Sequence, residues 1–293
     1  MCNIALHYSV INHYMPKRIL KLAISLAVFF TAHHSFSQKW ELGGLLGASN
    51  YHGDLAKNFV MKETHPAGGL FLRYNLGKFW SFKSSMLIGT ISGDDKNFAD
   101  NKYRNLSFKS RITELSAMME YNYKPFGAQV RTENFTPYLA LGVALFHFNP
   151  IAKYNGDWFN LNNMHTEGQS SAARYKLNQI SIPFGMGLKW SISNNITAGF
   201  EFTYRKTFTD YLDDVSKTYP DLAENTKKYG SLSSALSDRS SEVEGIANPL
   251  STVGDMRGDP GLKDWYVFSL ISFTYRFTPI ICWPNKPTTV WDY

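Results

Sequence analysis

The chain is poor in cysteine, with Cys2 and Cys282 the two among 293 residues. No Cys pair has zinc-ligand spacing, and the sequence contains neither a G-x-x-x-x-G-K-[ST] phosphate loop nor an H-E-x-x-H metalloprotease motif. Lysines and aromatic residues are dispersed rather than clustered, which argues against nucleic-acid binding. These absences predict a protein that binds no metal, cofactor or nucleic acid, and they leave any small-molecule ligand unknown.

Long hydrophobic runs are also missing: no later stretch has the roughly 20 consecutive apolar residues of a transmembrane helix. The short run Leu22–Phe30 near the N-terminus follows Lys17, Arg18 and Lys21. Because Ser35-Phe36-Ser37 then provides small residues at a permitted cleavage position, the pattern predicts a signal peptide.

The predicted signal peptide covers residues 1–37, with Met15 as a possible true start. Its removal would take away Cys2, so that Cys282 could form no internal disulfide. It would also remove three cations and lower the formal net charge from +6 to +3. The basic balance therefore says little about partners.

The most regular pattern in the chain lies between Asn178 and Arg205. Apolar residues occupy alternate positions on both sides of Ser193-Asn194-Asn195, and small or charged residues lie between them. A period of two around a short Asn-rich break predicts an antiparallel hairpin. Both strands of this hairpin exceed the usual length of roughly 5–6 residues.

Similar alternation predicts six further strands. They are Trp40–Ser49, Pro66–Leu76, a strand from Trp80 to about Gly89, Ser107–Tyr123, Phe135–Phe148 and Trp265–Phe277. The connections alternate between long and short, and residues 206–263 form the longest. Outer-membrane barrels have short periplasmic turns and longer external loops, whereas a soluble sandwich has no reason to place its long loops at one end.

The sequence thus predicts an all-β fold, an eight-stranded antiparallel transmembrane β-barrel over residues 38–278 in the cell outer membrane. Residues 279–293 are predicted to form a periplasmic tail. Trp80, Tyr121, Tyr123, Trp190, Tyr204, Trp265 and Phe277 are candidates for the aromatic girdles. Pro183 lies within a predicted strand and is expected to mark a bulge.

Charged residues alternate with the apolar face and are predicted to point into the barrel. This expected network contains Arg73, Lys83, Glu114, Glu120, Lys189, Glu201, Arg205 and Arg276. A barrel of about eight strands is just wide enough for side chains to fill it, which favours a filled interior over an open channel.

A lipid-modifying enzyme is one alternative, because histidine with serine or a carboxylate can act on lipids. The candidate residues are His52, Asp54, His65, His147 and His165. Their spacing matches no specific motif, and we therefore predict a protein that is not an enzyme. A small porin and a surface adhesin remain further alternatives. A helix over residues 221–229 is also left open.

Several segments resemble PorG-like outer-membrane barrels of the type IX secretion system. They are Trp40-Glu41-Leu42-Gly43-Gly44, Gly47 to Leu55 (GASNYHGDL), Tyr103 to Phe108 (YRNLSF), and Arg257-Gly258-Asp259-Pro260 followed by Asp264-Trp265-Tyr266. The resemblance spans nearly the whole chain after the predicted signal peptide. Asp259 stands where the family pattern leads us to expect Asn.

The resemblance implies a non-enzymatic envelope protein that associates with a periplasmic ring of PorK- and PorN-like proteins. On the predicted topology, residues 125–134 and 278–293 face the periplasm. The candidate docking residues there are Pro125, Phe126, Arg131, Cys282, Trp283 and Trp291. The remaining expected partner is outer-membrane lipid.

Overall fold

The computed structural model describes residues 40–126 and 133–277. The predicted signal peptide, the C-terminal tail and the candidate docking residues Arg131, Cys282, Trp283 and Trp291 lie outside these ranges. Within them, the strands are β1 Trp40–His52, β2 His65–Asn75, β3 Trp80–Asp94, β4 Ser107–Asn122, β5 Phe135–His147, β6 Pro150–Tyr154, β7 Asp157–Asn160, β8 Asn178–Ser191, β9 Ile196–Thr207 and β10 Trp265–Arg276.

Eight of these strands form a closed antiparallel barrel, which confirms the predicted fold. Sequential pairing joins β1, β2, β3, β4 and β5, then β8, β9 and β10, and β10 pairs back with β1. The remaining hairpin, β6 and β7, extends the wall beyond the outer end of β4 through the partners Lys109↔Ile151 and Ser110↔Pro150. This hairpin lies in a segment expected to be a loop.

The long connections all lie at one end of the barrel. We name them loop 1 (residues 53–64), loop 2 (95–106), loop 3 (148–177, which contains β6 and β7) and loop 4 (208–264). Loop 4 contains helices α1 Leu222–Tyr229 and α2 Ser231–Ser237, so the helix left open by the sequence is present. Short 3-10 helices lie at Met61–Glu63, Asp95–Asn97, Leu161–Asn163, Ser171–Ala173 and Ser240–Glu242. No helix of the described chain has the length and apolar character to cross a membrane.

Pro183 does not produce the expected bulge. The register between β5 and β8 is the same on both sides of it, with Leu141 opposite Phe184 and Ala144 opposite Ser181. No extra residue is inserted; the pairing is interrupted between these positions and then resumes. The buried proline ring points inward, so the sheet accommodates a missing N–H donor without changing which side chains face the lumen.

The outer surface of the wall is apolar, and its inner surface is polar. Outward residues such as Leu46, Leu70 and Leu139 are 60–71% exposed although they lie on regular strands. A closed barrel satisfies its backbone hydrogen bonds and can place such a surface in lipid. The protein is therefore an outer-membrane β-barrel, with its long loops on the external side.

Aromatic side chains mark the periplasmic edge of the apolar surface. Three contacts between neighbouring strands lie there, Trp40–Tyr74, Trp80–Tyr121 and Phe135–Trp190, with ring centroids 4.7–5.6 Å apart. Toward the loops, the Phe184 ring contacts both Tyr204 and Trp265 at 5.9 Å. The amphipathic Trp and Tyr rings among them suit the boundary between lipid and water.

Candidate functional site in the lumen and its external cap

A network of ion pairs fills the periplasmic half of the lumen. Glu120 lies at its centre, with Arg73 Nε at 2.8 Å, Lys189 Nζ at 2.6 Å and Lys83 Nζ at 3.5 Å. All four side chains are at most 3% exposed. The network continues from Lys83 to Glu201, whose carboxylate also accepts a 3.1 Å hydrogen bond from the Tyr138 hydroxyl.

Glu41 extends this network to the last strand. Its carboxylate accepts hydrogen bonds from Arg73 Nη1 at 3.0 Å and from Arg276 Nη2 at 2.9 Å, and it is 2% exposed. Sequence reasoning left Glu41 out of the expected interior set. The signal was present, because Glu41 lies between the outward residues Trp40 and Leu42 in the alternating pattern.

A second, smaller group of charges lies in the external half of the lumen. Arg205 contacts both carboxylate oxygens of Glu114, at 3.1 and 3.2 Å. The Tyr266 hydroxyl donates to Glu114 at 2.8 Å. Two parallel guanidinium–carboxylate contacts form a geometrically specific pair.

The structure thus brings all eight predicted interior charges into two ion-paired groups. Apolar side chains fill the level between them; Leu45, Leu87 and Leu270 are each at most 1% exposed. Each charged side chain has a partner of opposite sign, and the buried hydroxyls of Ser85 and Ser116 at this level contact each other at 2.7 Å. Side chains therefore fill the lumen along its length.

The external loops fold over the lumen as one hydrogen-bonded unit, which we name the cap (loops 1 to 4). Arg104 of loop 2 binds Asp95 through Nε at 2.8 Å and Nη2 at 2.6 Å. The same guanidinium donates to the carbonyl of Arg257 in loop 4 at 2.6 Å and to the carbonyl of Asp54 in loop 1 at 3.1 Å. One side chain therefore joins three loops.

Arg257 performs the corresponding role inside loop 4. Its guanidinium donates to the Asp214 carbonyl oxygen and, at 3.2 Å, to the Ser237 carbonyl oxygen, and it lies 3.4 Å from the Glu167 carboxylate of loop 3. The side chain is 2% exposed. Burial acts to lower the pKa of Arg257, but the nearby Asp214 and Glu167 carboxylates outweigh it and raise that pKa, so the group stays charged.

Two carboxyl groups share one hydroxyl at the junction between cap and barrel. Tyr51 Oη lies 2.6 Å from Asp213 Oδ2 and 2.6 Å from Asp264 Oδ1. One hydroxyl has one proton to donate, so the second short contact requires a proton on a carboxyl group. Burial raises the pKa of Asp213 and that of Asp264 well above the ordinary value; for Asp264, the charge of Asp213 adds to this effect.

Two glycines let the chain approach this junction closely. A Cβ atom on Gly53 would lie 2.1 Å from Tyr51 Oη and 2.2 Å from Asp264 Oδ1. A Cβ atom on Gly258 would lie 2.5 Å from Asp54 Oδ2. Asp54 in turn accepts a 3.0 Å hydrogen bond from the Asp259 backbone N–H, which ties loop 1 to loop 4.

The apolar interior is continuous from the lumen into the cap. Barrel residues such as Leu87 and Phe268 belong to the same packed cluster as Leu55, Leu161 and Leu236 of loops 1, 3 and 4. The cap is therefore part of the protein core, because it buries apolar surface together with the barrel.

The candidate histidines do not form one site. His147 Nδ1 contacts Asn178 Oδ1 at 2.8 Å, and the ring of His165 stacks on Tyr229 with centroids 4.0 Å apart. Asp54, the carboxylate considered with them, is engaged by the Asp259 backbone rather than by an imidazole.

One serine–histidine contact is present on the outer rim. His65 Nε2 lies 2.6 Å from Ser92 Oγ, but the Ser92 hydroxyl donates to Glu63. In this arrangement the carboxylate, rather than the imidazole, accepts the serine proton. Ser92 is also buried, so the contact lacks the arrangement of an activated nucleophile. Among the residues that the structure describes, no cluster of His, Cys, Asp or Glu could hold a metal ion.

The described part of the predicted docking region is packed against its neighbour. The Phe126 backbone N–H donates to the Lys78 carbonyl at 2.9 Å, which joins two adjacent periplasmic turns. Phe126 is 4% exposed, so its ring packs inward and is not available to a partner. Pro125 remains half-buried at the turn surface.

A family model matches most of the chain. Residues 17–236 match the family model described as "Domain of unknown function (DUF6089)". No curated protein matches the sequence.

Similar solved structures include small outer-membrane barrels of other bacteria. Neisserial surface protein A is 8% identical, with 81% of this chain and 97% of that chain covered at a TM-score of 0.40. Ail of Yersinia pestis, in complex with the heparin analogue sucrose octasulfate, is 11% identical, with 82% and 99% covered at 0.38. OprG of Pseudomonas aeruginosa is 12% identical, with 83% and 98% covered at 0.33.

Proposed function

We propose that this chain, which belongs to the DUF6089 family, is a non-conducting, non-enzymatic outer-membrane subunit of the type IX secretion machinery. In this proposal the barrel is a membrane anchor that associates with a periplasmic ring of PorK- and PorN-like proteins. Its work is done through its surfaces, and the lumen is structural.

The observation that carries the non-conducting part is the filled lumen beneath a folded cap. Glu120 is fully buried among three cations, and the cap residue Arg257 is 2% exposed. Opening a passage would separate buried charges from their partners, which costs several kcal/mol for each uncompensated ion. This cost argues against a constitutive channel.

The secretion role is supported by the segments that resemble PorG-like barrels. Those segments supply Gly53, Asp54, Arg104, Arg257 and Asp264, and in the structure all five lie at the junctions between cap loops. The segments that resemble PorG-like barrels therefore include residues that hold the cap loops together.

Attachment to the ring is tested by deleting residues 278–293 and purifying the tagged barrel from detergent-solubilised outer membranes. We expect the ring proteins to copurify in smaller amounts, with unchanged membrane insertion. A matched control deletes Asn155 and Gly156, the exposed tip between β6 and β7, and should leave copurification unchanged. Equal recovery of the ring proteins from both variants would contradict attachment through the tail.

The porin alternative is tested separately in planar lipid bilayers. We expect the purified full chain to produce no stable large openings over the range of voltages that intact bilayers tolerate. Reproducible large conductance steps would contradict the filled lumen and favour a porin.

A second candidate, a surface adhesin, is favoured by apolar residues on the external loops. Phe59 and Met61 in loop 1 are 63% and 75% exposed, and Val253 in loop 4 is 67% exposed. Exposed apolar residues on a cell-surface cap can contact a protein partner. The adhesin role would be supported if cells bind surfaces coated with host proteins and the double variant Phe59→Ser/Met61→Ser abolishes this binding. If ring proteins still copurify with that variant, the adhesin role and the secretion role are distinct.

A further inference from the structure

The outward face of the barrel changes from apolar to polar at one level on three adjacent strands. Leu115, Leu145 and Ile180 face outward on β4, β5 and β8 and are 53–61% exposed. The next outward residues toward the loops are polar and lie side by side in register: Thr113, His147 and Asn178. On the outer face of a membrane barrel, we infer from this change that the acyl region of the outer leaflet meets its headgroups at this level.

A groove of about 680 Å³ lies on the outer face of the barrel wall at this level. Its apolar walls include Leu115, Leu145, Ile180 and Phe208, and His147 lies at its polar edge. The volume falls within the roughly 300–1,000 Å³ of ordinary ligand clefts. Because the groove opens onto the membrane, its natural occupant is a hydrocarbon chain.

Two cations lie above the groove on the same face of β4. Arg111 is two residues and Lys109 four residues beyond Thr113 toward the loops, and both side chains are exposed. Across the described ranges 40–126 and 133–277, neither takes part in an ion pair.

Two carboxylates lie near this part of the wall, and within the described ranges neither forms an ion pair with Lys109 or Arg111. Glu63 accepts hydrogen bonds from Ser92 and from Asn97 Nδ2, the latter at 2.9 Å. Asp94 accepts from the Lys96 backbone N–H at 2.9 Å. Because Lys109 and Arg111 are exposed on the outward face of β4, their charge is directed toward the headgroup layer.

We propose that this surface is a binding site for an anionic lipid of the outer leaflet. One acyl chain lies in the groove, and a lipid phosphate contacts Lys109 and Arg111. Both cations satisfy phosphate oxygens, and Arg can do so with two parallel N–H groups. The inference depends on the barrel's place in the membrane and is independent of the secretion role.

The headgroup part is tested by native mass spectrometry of the full chain in detergent with added lipid A, which carries two phosphates. We expect the double variant Lys109→Gln/Arg111→Gln to bind lipid A about 30-fold more weakly, from roughly 1 kcal/mol per cation near a membrane surface. The matched control Lys62→Gln/Lys227→Gln removes two exposed cap lysines and should bind as the wild type does. Equal loss in both variants would overturn the proposal.

The acyl-chain part uses two tryptophan substitutions on one strand face. Leu145→Trp fills the groove and should reduce lipid A retention, whereas Leu141→Trp should not, because Leu141 is outward and 60% exposed but lies outside the groove. Undiminished retention in Leu145→Trp would contradict the groove assignment.

Two further ligands separate the sources of phosphate. Dephosphorylated lipid A should bind more weakly than lipid A, and inorganic phosphate alone should not displace bound lipid. Equal binding of the dephosphorylated form, or displacement by phosphate, would overturn the proposed combination of headgroup and chain contacts.

Discussion

Tyr51 and Asp264 lie 213 positions apart in the chain, and their side-chain oxygens are 2.6 Å apart. Tyr51 is the penultimate residue of the first barrel strand, and Asp264 immediately precedes the last. Since β1 and β10 are the pair through which the chain's two ends meet in the barrel, this contact joins barrel closure to the cap. The neighbouring carboxyl group of Asp213 brings loop 4 to the same hydroxyl.

The shared proton at this junction makes the cap sensitive to pH. The pKa values of Asp213 and Asp264 are raised in the folded state, and burial raises the pKa of Asp214 to about 6 despite the opposing charge of Arg257. A carboxyl group with a raised pKa binds more protons folded than unfolded. Its contribution is therefore present at low pH and falls as pH rises above roughly 4, through the folded-state pKa.

We therefore expect protease digestion of the cap to be faster at pH 8 than at pH 5, after correction for protease activity at each pH. Asp213→Asn should make the two rates more nearly equal, because an amide needs no shared proton. A wild-type cap equally resistant at both pH values would contradict the shared proton.

Gly53→Ala is expected to loosen the cap. The added methyl group would overlap the Tyr51–Asp264 contact, and overpacking of this kind costs about 1–3 kcal/mol. Urea unfolding in detergent, followed by tryptophan fluorescence, measures the loss. Gly44→Ala is the control, because no atom lies within 4 Å of the added methyl position. Equal stability of the two variants would show that the junction has room to relax.

Glu114→Gln is expected to destabilise the barrel by about 3–5 kcal/mol, because it leaves Arg205 buried without a counter-charge. The double variant Glu114→Gln/Arg205→Met should recover part of that loss. Lys124→Gln serves as the surface comparison: its partner Glu133 and the lysine are 38% and 45% exposed, so the change should stay within about 1 kcal/mol. Additive losses in the double variant would argue against direct coupling.

Arg257→Ala is expected to release loop 4 while the barrel stays folded. The change removes contacts to Asp214, Ser237 and Glu167 and leaves their buried oxygens without this donor. The measurement is limited proteolysis. We expect cleavage within residues 208–264, while the barrel keeps the faster gel migration of a folded protein in unheated samples. An uncut loop 4 would show that its helices hold it without the arginine.

The barrel could be predicted from sequence because alternating apolar and polar residues show which face of each strand points outward. Alternation from Asn178 to Arg205 predicts outward and inward positions, and the same rule places Lys189 and Glu201 in the lumen, as the structure shows. The ion-pair partners inside the lumen, such as Arg73 and Glu120, could not be predicted in this way. They lie on β2 and β4, which are separated by β3 in the closed wall, and a period of two says nothing about which inward charges meet.

The cap could not be predicted in this way. Loop 4 is rich in polar residues, yet Asp213, Asp214 and Ser237 are at most 1% exposed because they bond to groups in distant segments. Local pattern treats such residues as solvated. The failed bulge at Pro183 has a related cause: the sequence shows a missing N–H donor, but neighbouring pairs on both sides hold the register.

The unbroken apolar cluster from lumen to cap has a consequence for biogenesis. Tyr266 and Phe268 enter that cluster from the last strand, so the external loops lack part of their packing until β10 has been added. The barrel and the cap therefore complete their packing together, and a chain whose last strand has not yet docked would leave apolar side chains of both exposed.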